Sequence, residues 1–313
     1  MRKINPFPAL LAAVALAVLG FTVDNEYYLG VAVIIMIHSL NATGLNILLG
    51  YTGIISIGQA AFFGLGAYIS GVLSATYGWN PLMTFPVSFA GSFIIAYVIG
   101  WPVLRLHGHY LAMATLGFGM IVYILMNEMD FITGGPSGLM GIGDIEFLGL
   151  YFGLDQAYFV LMSVYFVIVL FLLELFDKSF LHYKLKFIKS SESASNSYGL
   201  DTVQTKLLVF AFVAGFTALN GSLYAFFAHF ISPVSFSLKY SIELVAMATV
   251  GGLGYITGGV IGAVILGLVP ELFASAEDYE MLIYGGLLAV CVMFVPGGIA
   301  GTLSGLRKKN VRS

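Results

Sequence analysis

Three hundred and thirteen residues, 59% of them hydrophobic, 15% aromatic and only 9% charged, exclude a water-soluble globular domain, which carries roughly 25% charged residues. A mean hydropathy of +0.96 agrees, and the long continuous apolar runs exclude a porin-like barrel of short alternating segments. A formal net charge of −3 identifies no partner by itself, and one cysteine, Cys291, leaves neither a disulfide framework nor a thiolate metal site.

The composition therefore predicts an all-α polytopic membrane protein. A span needs ~20 apolar residues. In chain order the runs of that kind are 8–23, 27–49, 54–77, 81–104, 109–129, 156–176, 207–230, 241–272 and 280–303. The first follows Met1-Arg2-Lys3 and reads as a retained span rather than a signal peptide. Its small-x-small sites, Ala13-Val14-Ala15 and Ala15-Leu16-Ala17, fall inside the apolar stretch rather than after it.

The run 241–272 is too long for one plain helix and is interrupted by Gly251-Gly252-Leu253-Gly254. Its first piece, 241–250, rises only ~15 Å as a helix, about half the hydrocarbon core. A re-entrant hairpin fits best, with two full tilted spans as the alternative. The total is eight to ten transmembrane helices.

Orientation follows from the basic residues. With the N-terminus in the cytoplasm, Arg2, Lys3, Arg105, Lys178, Lys184, Lys186, Lys189, Lys206, Arg307, Lys308, Lys309 and Arg312 are all inside. That is twelve of the 13 basic residues, with Lys239 outside. Most acids, including Asp24, Glu128, Asp130, Asp144 and Glu277, then fall on the outer face. Both termini are expected inside, the loop 177–206 inside and the loop 130–155 outside. Residues 1–313 form one membrane domain.

The outer loop carries the tight turn run Thr133-Gly134-Gly135-Pro136-Ser137-Gly138. The inner loop is the one extended polar stretch. Its serine-rich core, 190–197, suits a flexible linker or one surface helix of two or three turns.

Two breaks echo each other: Gly50-x-x-Gly53-x-Ile55-Ser56-x-Gly58 and Gly251-x-x-Gly254-x-Ile256-Thr257-x-Gly259. Either they are discontinuous helices of the kind transporters place around a substrate site, or they serve close helix packing. If the first holds, the two breaks should lie side by side near a translocation path. Candidates to line it are Asn46, Gly53, Ser56, Gln59, Glu243, Gly251, Gly254 and Thr257. Glu243 reads equally as a helix-start acid at the interface. His38, with Asn41, Thr43 and Asn46 on nearby turns, suits interhelical hydrogen bonding.

No HExxH, GxSxG or intramembrane carboxylate pair is present, and no phosphate-binding loop, so any ATP use belongs to another chain. No metal and no cofactor are expected. Without proton-relay acids in the spans or a charged filter, a stand-alone carrier or channel is poorly supported.

From about residue 40 to 302 the chain resembles the M-type permease subunits of the ABC importers for branched-chain amino acids, whose relatives also serve urea and other amides. The resemblance rests on Leu45 to Tyr68, on Gly108-His109-Tyr110-Leu111-Ala112 with Thr115-Leu116, and on Thr133 to Leu139. It continues through Ser241-Ile242-Glu243, Gly251 to Gly254, Pro270-Glu271-Leu272 and Pro296 to Gly301, in the family's order. It implies an inner-membrane transport subunit, not itself an enzyme. Its partners would be two ABC ATPase subunits, a second homologous permease, an extracytoplasmic solute-binding protein and the lipid bilayer, with no nucleic acid.

The family's ATPase-docking segment is similar to residues 188–199. Ile188, Lys189, Glu192, Ala194 and Gly199 keep its frame, whereas Ser195 and Ser197 replace alanines and Lys189 replaces an arginine. The resemblance implies docking through Lys189, Glu192, Ala194, Ser197 and Gly199, on one short helix over 188–200 ended by a left-handed turn at Gly199.

Overall fold

The structure, a computed structural model, describes residues 7–23, 25–147, 150–153 and 155–269, and beyond these 285–286, 289, 293 and 297–302. The termini, Asp24, the acids Glu271 to Glu280 and most of the run 280–303 lie outside the described residues.

The described chain is almost wholly helical. Helix α1 (Phe7–Thr22) leads into α2 (Glu26–Asn46), whose first turn is capped by Asn25 accepting from the Tyr27 amide at 3.0 Å. A π-turn, Ile47–Thr52, continues α2 without a gap, so this element spans 27 residues and outruns the expected 27–49. It ends at Gly53, which is left-handed with φ 74°. Residues 53–58 are not helical, and α3 (Gln59–Ala75) begins five residues later than the expected span. Then come α4 (Pro81–Val103), started by an Asn80 cap and Pro81, and α5 (His109–Glu128).

The outer loop is built, not loose. It holds α6 (Asp130–Thr133), a 3-10 turn at Gly135–Ser137 and strands β1 (Leu139–Met140), β2 (Glu146–Phe147) and β3 (Leu150–Tyr151). Gly134, Gly135 and Gly138 all have positive φ, so the tight-turn expectation holds.

Helix α7 (Asp155–Asp177) is followed by α8 (Phe180–Ser190), α9 (Glu192–Ser197) and α10 (Thr202–Ala228). After β4 (Phe230–Ile231) and a 3-10 turn come α11 (Leu238–Gly251) and α12 (Ile256–Gly267). Strand β4 pairs with β1, Leu139 opposite Ile231, tying the outer loop to the end of α10.

Helix α10 runs through the middle, packed between α3 and α4, while α2 meets α7, α10, α11 and α12, and α1 lies on α7. Without a hydrophobic force between helices in lipid, small residues and buried hydroxyls hold such contacts. Ser222 donates to the Gly66 carbonyl at 3.2 Å and meets Ser70 and Ser88 at 2.7 and 2.8 Å, joining α10, α3 and α4.

Five described helices are long and apolar enough to cross a membrane, and the α11–α12 pair, bent by 117°, makes a possible sixth. Helix α11, with 14 residues, rises ~21 Å, short of the ~30 Å core. The sharp reversal at the glycines favours the re-entrant reading over a plain span. α11 also starts at Leu238, earlier than the expected 241, because Ser237 is extended and releases the helix there.

The inner loop takes the surface-helix reading over the linker, being helical over most of its length, and corrects two bounds. α10 starts at Thr202, not 207, because Asp201 caps the Gln204 amide at 2.8 Å. The single helix over 188–200 is two pieces. Ser191 is extended (φ −161°, ψ 110°), ends α8 and caps α9 by accepting from the Ala194 amide at 3.3 Å.

Candidate functional site

The two glycine breaks lie against each other. The Asn46 side chain, buried at 1% exposure on the last residue of α2, donates to the Gly252 carbonyl at 3.0 Å and the Tyr255 carbonyl at 2.8 Å. Its Oδ1 accepts from the Gly254 amide at 2.8 Å. One amide thus satisfies three backbone groups freed where α11 stops and α12 starts, which is the condition for unwound backbone inside a membrane. Gly50 is needed for the approach: a Cβ there would lie 2.8 Å from the Gly254 Cα and 2.5 Å from Asn46 Oδ1.

The echo between the breaks has a partial structural counterpart. Gly53 and Gly254 occupy equivalent places in the pattern, and both are left-handed, with φ of 74° and 80°. The breaks differ in length, since α3 resumes at Gln59 while α12 resumes at Ile256.

The first break is pinned from two further sides. The Ile57 amide donates to Thr115 Oγ1 of α5 at 3.1 Å, and the Ala60 amide donates to Ser241 Oγ of α11 at 3.1 Å. Ser56 and Gln59 are buried, and Gln59 Oε1 accepts from Thr217 of α10 at 3.3 Å. The Ser56 hydroxyl and the Gln59 amide nitrogen have no hydrogen-bond partner among the described residues. A cavity of about 250 Å³ opens beside this break, lined among others by Ile57, Ala60, Gly119, Met120, Lys239 and Ser241.

The candidates are not all brought together. Asn46, Gly251 and Gly254 share the knot, and Ser56 and Gln59 frame the start of α3. Thr257 is exposed at the head of α12. Glu243 sits in the second turn of α11, not at its start, and faces Lys239 at 3.8 Å, so the helix-start reading is replaced by an i,i+4 ion pair.

A second polar network was only half visible in the sequence. Asn41 donates to the Tyr240 hydroxyl at 2.8 Å and accepts from Asn220 at 2.8 Å, and Tyr165 donates to Asn220 at 2.9 Å. This joins α2, α7, α10 and α11. The interhelical hydrogen-bonding reading holds for Asn41 here and for Asn46 at the knot, whereas Thr43 donates to the Ser39 carbonyl in its own helix and the His38 ring packs on Tyr240 at 5.1 Å. Asn220, the one amide side chain in the 207–230 run, was the available signal for the rest.

The segment matched to the docking frame lies on the first break. The buried face of α8, His182, Leu185 and Ile188, turns inward, and Tyr51 of the π-turn meets the His182 ring at 4.9 Å and the Lys186 ammonium at 5.3 Å. Lys189 Nζ donates to the carbonyls of Gly50 at 2.8 Å and Leu49 at 3.2 Å. Burial, and then the Lys186 charge, pushes the Lys189 amine below its usual value. Burial also lowers His182, opposed by Asp177 at 3.1 Å and aided by Lys186.

Glu192 is engaged within the chain too. It bonds Lys206 of α10, and His107 stands 3.8 Å away. Ala194 is half-buried and Ser197 exposed. Gly199 is left-handed, φ 78°, as expected. No group of three metal-ligating side chains occurs among the described residues.

The fold is that of a polytopic helical membrane protein with paired helix breaks and a basic helical segment seated on one of them. The family described as "Branched-chain amino acid transport system / permease component" matches residues 27–293, and the chain belongs to that family. It is 30% identical to the LivM high-affinity branched-chain amino acid permease protein of Escherichia coli K12, covering 93% of this chain and 74% of LivM. It is 27% identical to a probable LivH permease of Methanocaldococcus jannaschii over 84% of this chain and 88% of that one. LivH of Escherichia coli K12 is 24% identical. The higher identity to LivM fits the M-type turn loop at Thr133 to Leu139. No solved structure matches the chain significantly.

Proposed function

We propose that this chain is the M-type half of an ABC importer that carries branched-chain or other hydrophobic amino acids inward across the inner membrane. It would pair with a second homologous permease, be driven by two ATPase subunits and receive solute from an extracytoplasmic binding protein. The observation that carries the reading is the family match across residues 27–293, together with the 30% identity to LivM over 93% of the chain. The paired breaks and the cavity beside Ile57 and Ser241 support a path at the first break. The test is co-purification of the chain with its ATPase subunits, followed by uptake of labelled leucine and labelled urea into proteoliposomes carrying the binding protein. Leucine uptake is expected. Urea uptake alone would replace this reading with an amide permease, and uptake without ATPase subunits would replace it with a stand-alone carrier.

The proposed topology puts both termini and α8–α9 in the cytoplasm and the loop 130–155 outside, on the twelve-to-one distribution of basic residues. Cysteines placed at Ser137 and Ser193, both exposed or nearly so, are expected to react with an impermeant thiol reagent from opposite sides. Reaction of both from one side would overturn it.

In the same reading α9 and its flanks meet an ATPase subunit. Gly199 has open space around it, so its requirement is conformational: φ 78° strains any L side chain. Gly199→Val is expected to cut ATP-driven uptake at least fivefold while membrane insertion and yield stay normal. Glu192→Lys sets a second ammonium against Lys206 and is expected to do the same. Normal uptake in both variants would return α9 to a simple connector.

A further inference from the structure

Lys189 is an exposed residue, yet its amine is spent on carbonyls of its own chain rather than left for a docking partner. A π-turn ends with carbonyls that have no helical partner. Here the amides of Gly53 and Ile54 both return to the Leu48 carbonyl, leaving those of Leu49 and Gly50 facing outward from the turn. Lys189 fills both places, and its stem passes over Gly53, where a Cβ would lie 3.5 Å from Lys189 Cγ. A cation at the carbonyl end of a helix is favoured by the dipole, and charge-assisted bonds are the strong ones. On its other side Gly50 abuts Gly254, whose amide is held by Asn46.

From these contacts we propose that Lys189 is a positioning residue that links the docking segment to the paired glycine breaks. The route is short: α8, the Lys189 ammonium, the Gly50 carbonyl, then Gly254 at the turn between α11 and α12. Displacement of α8 pulls on the last turn of the α2 element and, through Gly50, on the re-entrant turn. The amine makes no contact with the ATPase. This rests on the docking reading above for the source of the motion.

Its test uses the complete transporter in proteoliposomes, with Lys189→Met, Lys189→Arg and, as a control elsewhere on the same helix, Lys184→Met. Lys189→Met keeps the stem and removes the donors. Solute imported per ATP hydrolysed is expected to fall at least tenfold, with ATPase subunits retained in full. Lys189→Arg, which still donates to both carbonyls, is expected to keep at least half the wild-type ratio, and Lys184→Met all of it. An unchanged ratio in Lys189→Met overturns the proposal. So does loss of ATPase subunits from that variant, which would make Lys189 a docking contact. Failure of the wild-type chain to hold ATPase subunits would instead sink the docking reading, and this inference with it. A measurement independent of variant folding is the distance from a spin label at Ser193 and, in a second sample, at Leu253 to a reference label at Ser137 on the otherwise native transporter. Both distances should change on nucleotide binding, and a Leu253 distance that stays fixed while the Ser193 distance changes would also overturn the link.

Discussion

Asn46→Ala is expected to lower the midpoint of thermal unfolding of the detergent-solubilised protein by several degrees and to abolish solute uptake in the assembled transporter. The change removes a side chain at 1% exposure that serves three backbone groups, the carbonyls of Gly252 and Tyr255 and the amide of Gly254. A buried polar group left without a partner costs about 1–3 kcal/mol. The Tyr255 carbonyl keeps the Gly258 amide as a donor, so the Gly252 carbonyl and the Gly254 amide are the two groups orphaned, about 2 kcal/mol or more together. The methyl group of alanine supplies neither the donor nor the acceptor. Asn41→Ala is the comparison. It also loses two hydrogen bonds, but to Tyr240 and Asn220, side chains that can turn to other partners, so its loss of stability should be smaller. Equal effects of the two changes, or unchanged uptake in Asn46→Ala, would show that the breaks do not depend on this clasp.

Much of this was legible in the sequence, and the limits have physical causes. Among the described residues, span positions came through to within a few residues because bilayer thickness imposes a length on apolar runs. The adjacency of the breaks came through because glycine is the residue that allows close backbone approach and positive φ, so the shared pattern marked equivalent turns at Gly53 and Gly254. What failed to come through were side-chain capping choices. Ser191 and Asp201 reset the chain between α8, α9 and α10, and a serine-rich stretch gives no clue which hydroxyl will do so. The role of Lys189 was hidden for another reason. The resemblance put it in a docking frame, whereas its direction depends on how α8 packs on the π-turn, a tertiary contact 139 residues away along the chain. Glu243 was misplaced because the apolar run begins after the helix does: Leu238 and Lys239 already belong to α11.

Composition also cannot rank the 38 glycines, and the last prediction turns on that ranking. Gly221→Ala is expected to prevent recovery of a monodisperse protein, although one added methyl is the smallest possible change and alanine is the better helix former. Gly221 lies on α10 where it crosses α3. A Cβ there would collide with the Phe63 carbonyl oxygen and lie 3.0 Å from the Ala67 amide nitrogen, which are fixed backbone atoms that no rotamer change can move. Gly66 on α3 meets the Ala218 backbone of α10 in the same way, so the crossing is closed from both sides. Pushing the helices apart would also stretch the Ser222 bonds to the Gly66 carbonyl and to Ser70 and Ser88, which tie α4 into the same contact. Overpacking a tight contact costs about 1–3 kcal/mol and more when backbone must move, and the hydroxyl cluster adds to that. Against it stands the gain of replacing a helical glycine by alanine, about 1 kcal/mol. Gly117→Ala on α5 isolates that gain, because nothing lies within 4 Å of its added methyl. It is expected to match or exceed the wild type in yield and unfolding midpoint. If Gly221→Ala were recovered with wild-type yield and midpoint, the close crossing of α3 and α10 would be wrong, and with it the central packing of the subunit.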